Sequence, residues 1–176
     1  KEKAFENYNV EINTELINKG EKNAKAFAEA NGLNLNIQVF EGSLEERKAA
    51  LVEAYLANRA TSEFNGKAIS QEKLDSDFKD FKKQIDSGQF EAVNLSGTIL
   101  IDKTNSIEKG RIGVFAHEVL HSYAVKKFGS KNVNQAGEAL INYLKRYDPD
   151  FALLIEERIG IYEGRSDYFE EAMNAM

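Results

Sequence analysis

The chain has 176 residues, of which 42% are hydrophobic, and its formal net charge is −6. This length and composition suit one domain with its own core, so we predict a single domain over residues 1–176. The negative charge argues against a nucleic-acid surface, and no apolar run is long enough to suggest a membrane span. Because the chain has no cysteine, disulfides and thiolate metal ligands are excluded.

The first part of the chain, residues 1–89, is predicted to contain three helices and one strand. Their expected bounds are a helix over residues 3–31, a strand over 33–40, a helix from Ser43 to about Ala60 and a helix over 71–87. Ser43 and Glu46 have the spacing of a capping box, and Gly88 is expected to end the third helix. Residues 61–70 are polar and are predicted to form a loop.

The second part, residues 90–176, is predicted to contain a hairpin followed by helices. The expected elements are strands over 90–95 and 98–102, a helix capped by Asn105 or Ser106 that ends at Phe128, a helix over 132–147 and a last helix from Pro149 to the C-terminus. Ser96-Gly97 is typical of a tight hairpin turn. Strands that feed a largely helical remainder indicate an α+β fold.

The segment His117-Glu118-Val119-Leu120-His121 contains both histidines of the chain. Residues four apart share one face of a helix, so the two imidazoles can bind the same metal ion. This H-E-x-x-H spacing is typical of zinc sites in which the glutamate acts as general base. We therefore expect His117 and His121 to bind Zn²⁺ and Glu118 to be the catalytic base.

The residues around this motif predict its environment. An apolar flank indicates a core helix, and it consists of Ile112, Phe115, Ala116, Val119, Leu120 and Tyr123. Small residues share the histidine face, namely Gly110, Gly113 and Ala124. Glycine is unfavourable inside a helix, so Gly113 indicates either a close backbone approach or a helix that begins after it.

A third zinc ligand must be Glu or Asp, because a catalytic site needs three protein ligands and no other histidine or cysteine exists. Downstream, Tyr162-Glu163-Gly164-Arg165-Ser166-Asp167 has a glutamate followed four residues later by an aspartate. Together with H-E-x-x-H, this segment resembles the gluzincins, the thermolysin-like zinc peptidases, over roughly residues 98–176. The resemblance implies that Glu163 is the third ligand and that Asp167 orients His117.

A second alignment of the C-terminal residues stays open. The segment Asp167–Met173 is weakly similar to a stretch of the anthrax-lethal-factor-like zincins. That similarity implies that Asp167 is the metal ligand, that Glu171 supports it and that Tyr162 donates to the oxyanion. Glu163 is preferred, because glutamate is the commoner third ligand in these enzymes.

The gluzincin resemblance also implies a fold and an activity. It implies a zincin-like fold with a small mixed sheet, whose edge strand at Thr98–Asp102 precedes the motif helix, and zinc-dependent hydrolysis of peptide bonds. A peptide substrate is then expected to pair as an extended strand along residues 94–101. Thermolysin uses a histidine to stabilise the oxyanion, but none remains here. The donor is expected to be one of Tyr123, Tyr143, Tyr147, Tyr162 and Arg165.

Two other functions are compatible with the same motif. The chain could be a catalytically inactive zincin-like binding module, although the intact Glu118 favours an enzyme. It could also be the protease domain of a larger toxin, effector or virion protein, which is compatible with a site near the C-terminal end.

Overall fold

A computed structural model of the protein describes residues 2–61, 63–64 and 67–160. In that part the fold is mixed α+β, with a small three-stranded sheet in a mostly helical chain. The helices are α1 Glu2–Ala30, α2 Leu44–Asn58, α3 Gln71–Asp86, α4 Lys103–Glu108, α5 Val114–Phe128, α6 Ser130–Tyr147 and α7 Pro149–Ile159. The strands are β1 Asn36–Phe40, β2 Glu63–Phe64, β3 Lys67–Ala68, β4 Ala92–Leu95 and β5 Thr98–Asp102.

Strand β5 lies in the middle of the sheet, whose order is β1-β5-β4. β1 pairs with it in parallel, from Asn36 opposite Thr98 to Phe40 opposite Asp102, and β4 pairs with it antiparallel. The predicted strand at Thr98–Asp102 is confirmed. Its predicted position at the edge of the sheet is wrong, because it pairs with a neighbouring strand on both sides. Its consecutive apolar residues are buried, as is usual for a strand that is covered on both faces.

The predicted hairpin between β4 and β5 is confirmed. Ser96 and Gly97 both have positive φ, at 55° and 109°, which matches the twist of a two-residue hairpin turn. The Asn94 side-chain oxygen accepts from the Gly97 N–H at 3.2 Å and closes the turn. The expected mixed sheet is thus present, with the hairpin as its antiparallel half.

Helices α2 and α3 pack on one side of the sheet through an apolar cluster. Its buried members are Leu51, Tyr55, Phe81, Ile85, Phe90 and Leu100. The predicted capping box is confirmed, because the Ser43 side chain accepts from the Glu46 N–H and the Glu46 side chain accepts from the Ser43 N–H. Gly88 ends α3 as predicted, with φ at +68°.

The predicted loop at 61–70 is partly wrong, because β2 and β3 form a short antiparallel pair within it. Two residues per strand leave almost no sequence pattern, which explains the error. The expected helix over 132–147 and the helix start at Pro149 are confirmed as α6 and α7. The expected continuation of the last helix past residue 160 lies outside the described residues.

The prediction of a single long helix through the motif is wrong, because this part of the chain forms two helices, α4 and α5. Gly110 has φ at +68° and ends α4, where its N–H donates to Ile107 at 3.2 Å and the Arg111 N–H donates to Ser106 at 2.8 Å. This pair of bonds is a Schellman motif, which satisfies the last carbonyls of a helix. The N-cap is Asp102, whose carboxylate accepts from the Asn105 N–H at 2.9 Å.

The chain divides into two compact units, and the boundary falls inside α5. The first unit comprises residues 1–29 and 34–118 and contains the three-stranded sheet. The second comprises residues 30–33 and 119 onward, where α6 packs against α7. The buried apolar residues of those two helices are Val133, Ile141, Leu144, Ala152, Ile155 and Ile159.

Candidate metal centre

Helix α5 carries the whole H-E-x-x-H segment and starts at Val114. Two hydrogen bonds form its beginning, from the Val114 N–H to Arg111 O at 3.2 Å and from the His117 N–H to Gly113 O at 2.9 Å. The helix ends as predicted at Phe128, and Gly129 follows it with φ at +78°. The motif therefore occupies the first two turns of a regular helix.

His117 and His121 lie one turn apart on the same face of this helix. Because α5 is continuous, its own backbone fixes that spacing, and the two Cβ atoms point within about 40° of each other around the axis. Both imidazoles and the Glu118 carboxylate belong to half-buried residues. On the histidine face Val114 and Ala124 are buried, whereas Gly113 and Phe128 are exposed, so this face is partly covered.

The predicted apolar flank of the motif is only partly buried. Phe115 and Val119 are almost completely buried, and they lie on the side of α5 opposite the histidines. Ile112 and Leu120 are exposed, at 46% and 38% of their surface. Phe115 and Val119 therefore form one buried stripe, while Val114 and Ala124 are buried on the histidine side, so α5 is covered on two sides and exposed between them.

Among the residues that the structure describes, no other backbone approaches Gly113 closely. A Cβ placed on it would meet no described atom within 4 Å, and the residue precedes the first turn of α5. The alternative interpretation, a helix that begins after the glycine, is therefore correct.

The sequence-predicted third ligand is not among the residues that the structure describes. Glu163 and Asp167 both lie beyond residue 160, as do Tyr162, Arg165 and Glu171. Within the described ranges, no group of three or more His, Asp or Glu side chains comes together. The described part of the chain thus contributes two histidines and one glutamate, all from α5.

The candidate oxyanion donors that can be described are three tyrosines. Tyr123 is half-buried, but it lies about 120° around α5 from His117 and so belongs to another face. Tyr143 and Tyr147 are exposed on α6, and their ring centroids are 4.6 Å apart. The helical geometry of α5 therefore directs Tyr123 away from the histidine pair.

A buried polar cluster just before the motif was missed by the sequence analysis. Asp102 and Arg47 are both buried, and Arg47 Nε lies 2.9 Å from Asp102 Oδ1. The Ser106 hydroxyl donates to Asp102 O at 2.8 Å, and Asn105 Nδ2 donates to Gly88 O at 3.2 Å. The cluster ties the end of β5 to α2, α3 and α4. An Asp three residues before Asn105 was the available signal, since Asp is a favoured N-cap.

The chain matches no protein-family model, and no curated protein or solved structure is similar enough to indicate a relationship. Its site must therefore be judged on its own residues. No helix within the described residues is both long enough and apolar enough to cross a membrane.

Proposed function

We propose that the protein is a zinc-dependent peptidase. The observation that carries this proposal is the placement of His117 and His121 one turn apart on a half-buried face of the continuous helix α5, with Glu118 next to the first. Zinc peptidases of the H-E-x-x-H type use this local arrangement, in which two histidines lie one helical turn apart and a glutamate follows the first. The finer proposal of a zincin-like, gluzincin-type site adds Glu163 and Asp167.

The donor set fits zinc better than magnesium or calcium. Imidazole nitrogen suits zinc, whereas magnesium and calcium prefer sites made of oxygen ligands. In the proposed site His117, His121 and Glu163 would hold the ion, and Asp167 would orient His117 through its other ring nitrogen. A zinc ion held by these two histidines and one carboxylate would also be able to bind the water that a catalytic site needs.

Bound zinc supplies a Lewis acid that acidifies water and polarises the scissile carbonyl. The Glu118 carboxylate takes the proton of the attacking water and delivers it to the departing amine. Since both histidines are assigned to the metal, we propose that a tyrosine or arginine stabilises the oxyanion, and the placement of Tyr123 on another face of α5 argues against that residue.

The substrate is proposed to be an extended peptide that pairs with β4. β4 lies at an edge of the described three-stranded sheet, next to β5, and the edge of a sheet is where an extended peptide can add as a further strand. Of the residues 94–101 first expected to pair, Asn94 and Leu95 belong to this strand, whereas 98–101 are paired on both sides. The net charge of −6 favours basic or neutral peptides.

The deciding experiment compares zinc content and peptide cleavage in the wild type and in Glu118→Gln. We expect about one zinc per chain in both proteins and a loss of cleavage in the variant of at least about 100-fold. Glu138→Gln is the matched control, because Glu138 is an exposed glutamate on α6 and should keep full activity. Cleavage that survives Glu118→Gln, or a wild-type chain that binds no zinc, would contradict the proposal.

A further inference from the structure

Helix α1 is docked by a narrow stripe of residues. Among its described side chains only Ile17, Ala24 and Ala28 are buried apolar residues, and two of them are alanines. Between residues 9 and 30 such a stripe buries little apolar area, so apolar contact contributes little there. The polar contacts of α1 therefore carry weight, and they fall on the same side as the stripe, at Asn13, Gly20 and Glu21.

Asn13 contacts the Schellman motif that separates α4 from α5. Its side-chain Nδ2 donates to Ile107 O at 3.0 Å, and the same carbonyl accepts from the Gly110 N–H at 3.2 Å. A Cβ on Gly110 would come within 3.5 Å of the Asn13 amide. One side chain of α1 therefore packs against both the carbonyl that ends α4 and the glycine that turns the chain.

Gly20 contacts the next part of the same connection. A Cβ on Gly20 would lie 3.3 Å from the Ile112 carbonyl oxygen, which is closer than ordinary packing. A glycine in the interior of a helix costs about 1 kcal/mol relative to alanine, so its presence here matches the need for this close approach. Ile112 lies between Arg111 and Gly113, whose carbonyls accept the first N–H groups of α5.

Glu21 completes the contact at the start of α4. Its carboxylate lies 2.8 Å from Lys103 Nζ, and both side chains are largely covered. A partly buried ion pair of this kind fixes the rotation of a helix better than an exposed one. The three contacts thus follow the chain from Lys103 through Ile107 to Ile112, directly before the motif helix.

We propose that α1 positions the first turn of α5, with Asn13 and Gly20 as positioning residues for His117 and Glu118. Asn13 fixes the end of α4, and Gly20 fixes Ile112, so the backbone carbonyls that start α5 have one location. The statement that Asn13 and Gly20 position zinc ligands rests on the proposed function, whereas their effect on the first turn of α5 does not.

Hydrogen exchange of backbone amides tests the inference without any need for activity. Asn13→Ala should speed exchange at residues 114–117 about fivefold, the loss expected from one hydrogen bond, while the β5 amides keep their rates. Asn18→Ala is the matched control, because it makes the same replacement at an exposed position of α1. Equal rates in the two variants, or a rise that includes β5 to the same extent, would overturn the positioning role.

Two further variants separate the hydrogen bond from the space that Asn13 fills. Asn13→Asp keeps the shape but loses the donor at neutral pH, so it should behave like Asn13→Ala. Gly20→Val should also speed exchange at 114–117, although it improves the propensity of α1 for helix. Exchange at residues 114–117 that stays as slow in both variants as in the wild type would contradict the inference.

Zinc affinity measured on the same variants connects this inference to the proposed function. Asn13→Ala should bind zinc about tenfold more weakly than Asn18→Ala, as is common when a residue that orients metal ligands is lost. If the wild type binds no zinc but the exchange effect is present, the peptidase proposal fails and the positioning role stands. If zinc binds and the exchange effect is absent, the positioning role fails alone.

Discussion

The His117 N–H donates to the Gly113 carbonyl at 2.9 Å, so the first candidate zinc ligand lies in the opening turn of its helix. That turn depends on a connection that begins at Gly110, where the chain takes a left-handed conformation. The position of the histidine is therefore set by residues that carry no chemistry of their own.

Gly110→Ala should destabilise the protein by about 1–2 kcal/mol, because a side chain in the left-handed conformation is strained. The added Cβ would also contact the Asn13 amide. Gly113→Ala is the control, since Gly113 has no positive φ and a Cβ there meets no described atom within 4 Å. Urea unfolding should separate the two variants, and equal midpoints would contradict the role of the turn.

The identity of the third ligand can be decided by two alanine substitutions. Glu163→Ala should abolish tight zinc binding, whereas Asp167→Ala should weaken it about 10–100-fold, as loss of an orienting carboxylate does. Zinc competition with a coloured chelator measures both. The opposite ranking, together with weakened binding in Glu171→Ala, would support the alignment with anthrax-lethal-factor-like zincins.

Asp102→Ala should cost about 3–5 kcal/mol of stability, because it leaves the Arg47 guanidinium buried without its partner and removes the cap of α4. Asp86→Ala is a matched control, since Asp86 also lies near a cation, Lys48 at 3.5 Å, but is 65% exposed. A surface pair contributes about 0–1 kcal/mol. Thermal unfolding of both variants should show a large and a small shift, and similar shifts would contradict the importance of the buried cluster.

The ion pair between Glu21 and Lys103 predicts a dependence of stability on pH. Burial raises the pKa of Glu21, but the hydrogen bonds and charges of Lys103 and Lys25 outweigh burial and lower this pKa below its ordinary value of 4.5. Burial lowers the pKa of Lys103, but Glu21 and Glu41 outweigh burial and raise it above 10.5. The Glu21 contribution is therefore present above pH 4.5 and is lost as the pH falls through the lowered value.

At the alkaline end the Lys103 contribution is complete below pH 10.5 and is lost as the pH rises through the raised value.

Glu21→Gln should make the loss of stability in acid shallower, and the difference from wild type should be greatest at neutral pH. Glu15→Gln, at an exposed position of the same helix, should leave the pH profile unchanged. Denaturant unfolding between pH 3 and 7 measures the slope, and parallel profiles for all three proteins would contradict this account.

Local patterns allowed much of the fold to be predicted from the sequence. The Ser43 and Glu46 capping box, the Ser96-Gly97 turn and the Gly88 helix end depend on neighbours along the chain, and all three are confirmed. The position of β5 in the sheet depends on a partner strand far away in the sequence, which no local pattern specifies.

The candidate site divides in the same way. The helical placement of His117 and His121 follows from their spacing alone, but the break at Gly110 was missed because that glycine also fits the small-residue face of a longer helix. The buried pair of Arg47 and Asp102 joins residues from separate elements, and only the folded chain brings them together.

The parallel pairing of β1 with β5 has a consequence for the order of folding. Asn36 pairs with Thr98, so the sheet closes a loop of about 60 residues, whereas the β4–β5 hairpin closes a loop of two. During synthesis the first strand must wait until the hairpin has left the ribosome. We therefore expect β1 to join the sheet last, after the β4–β5 hairpin has formed.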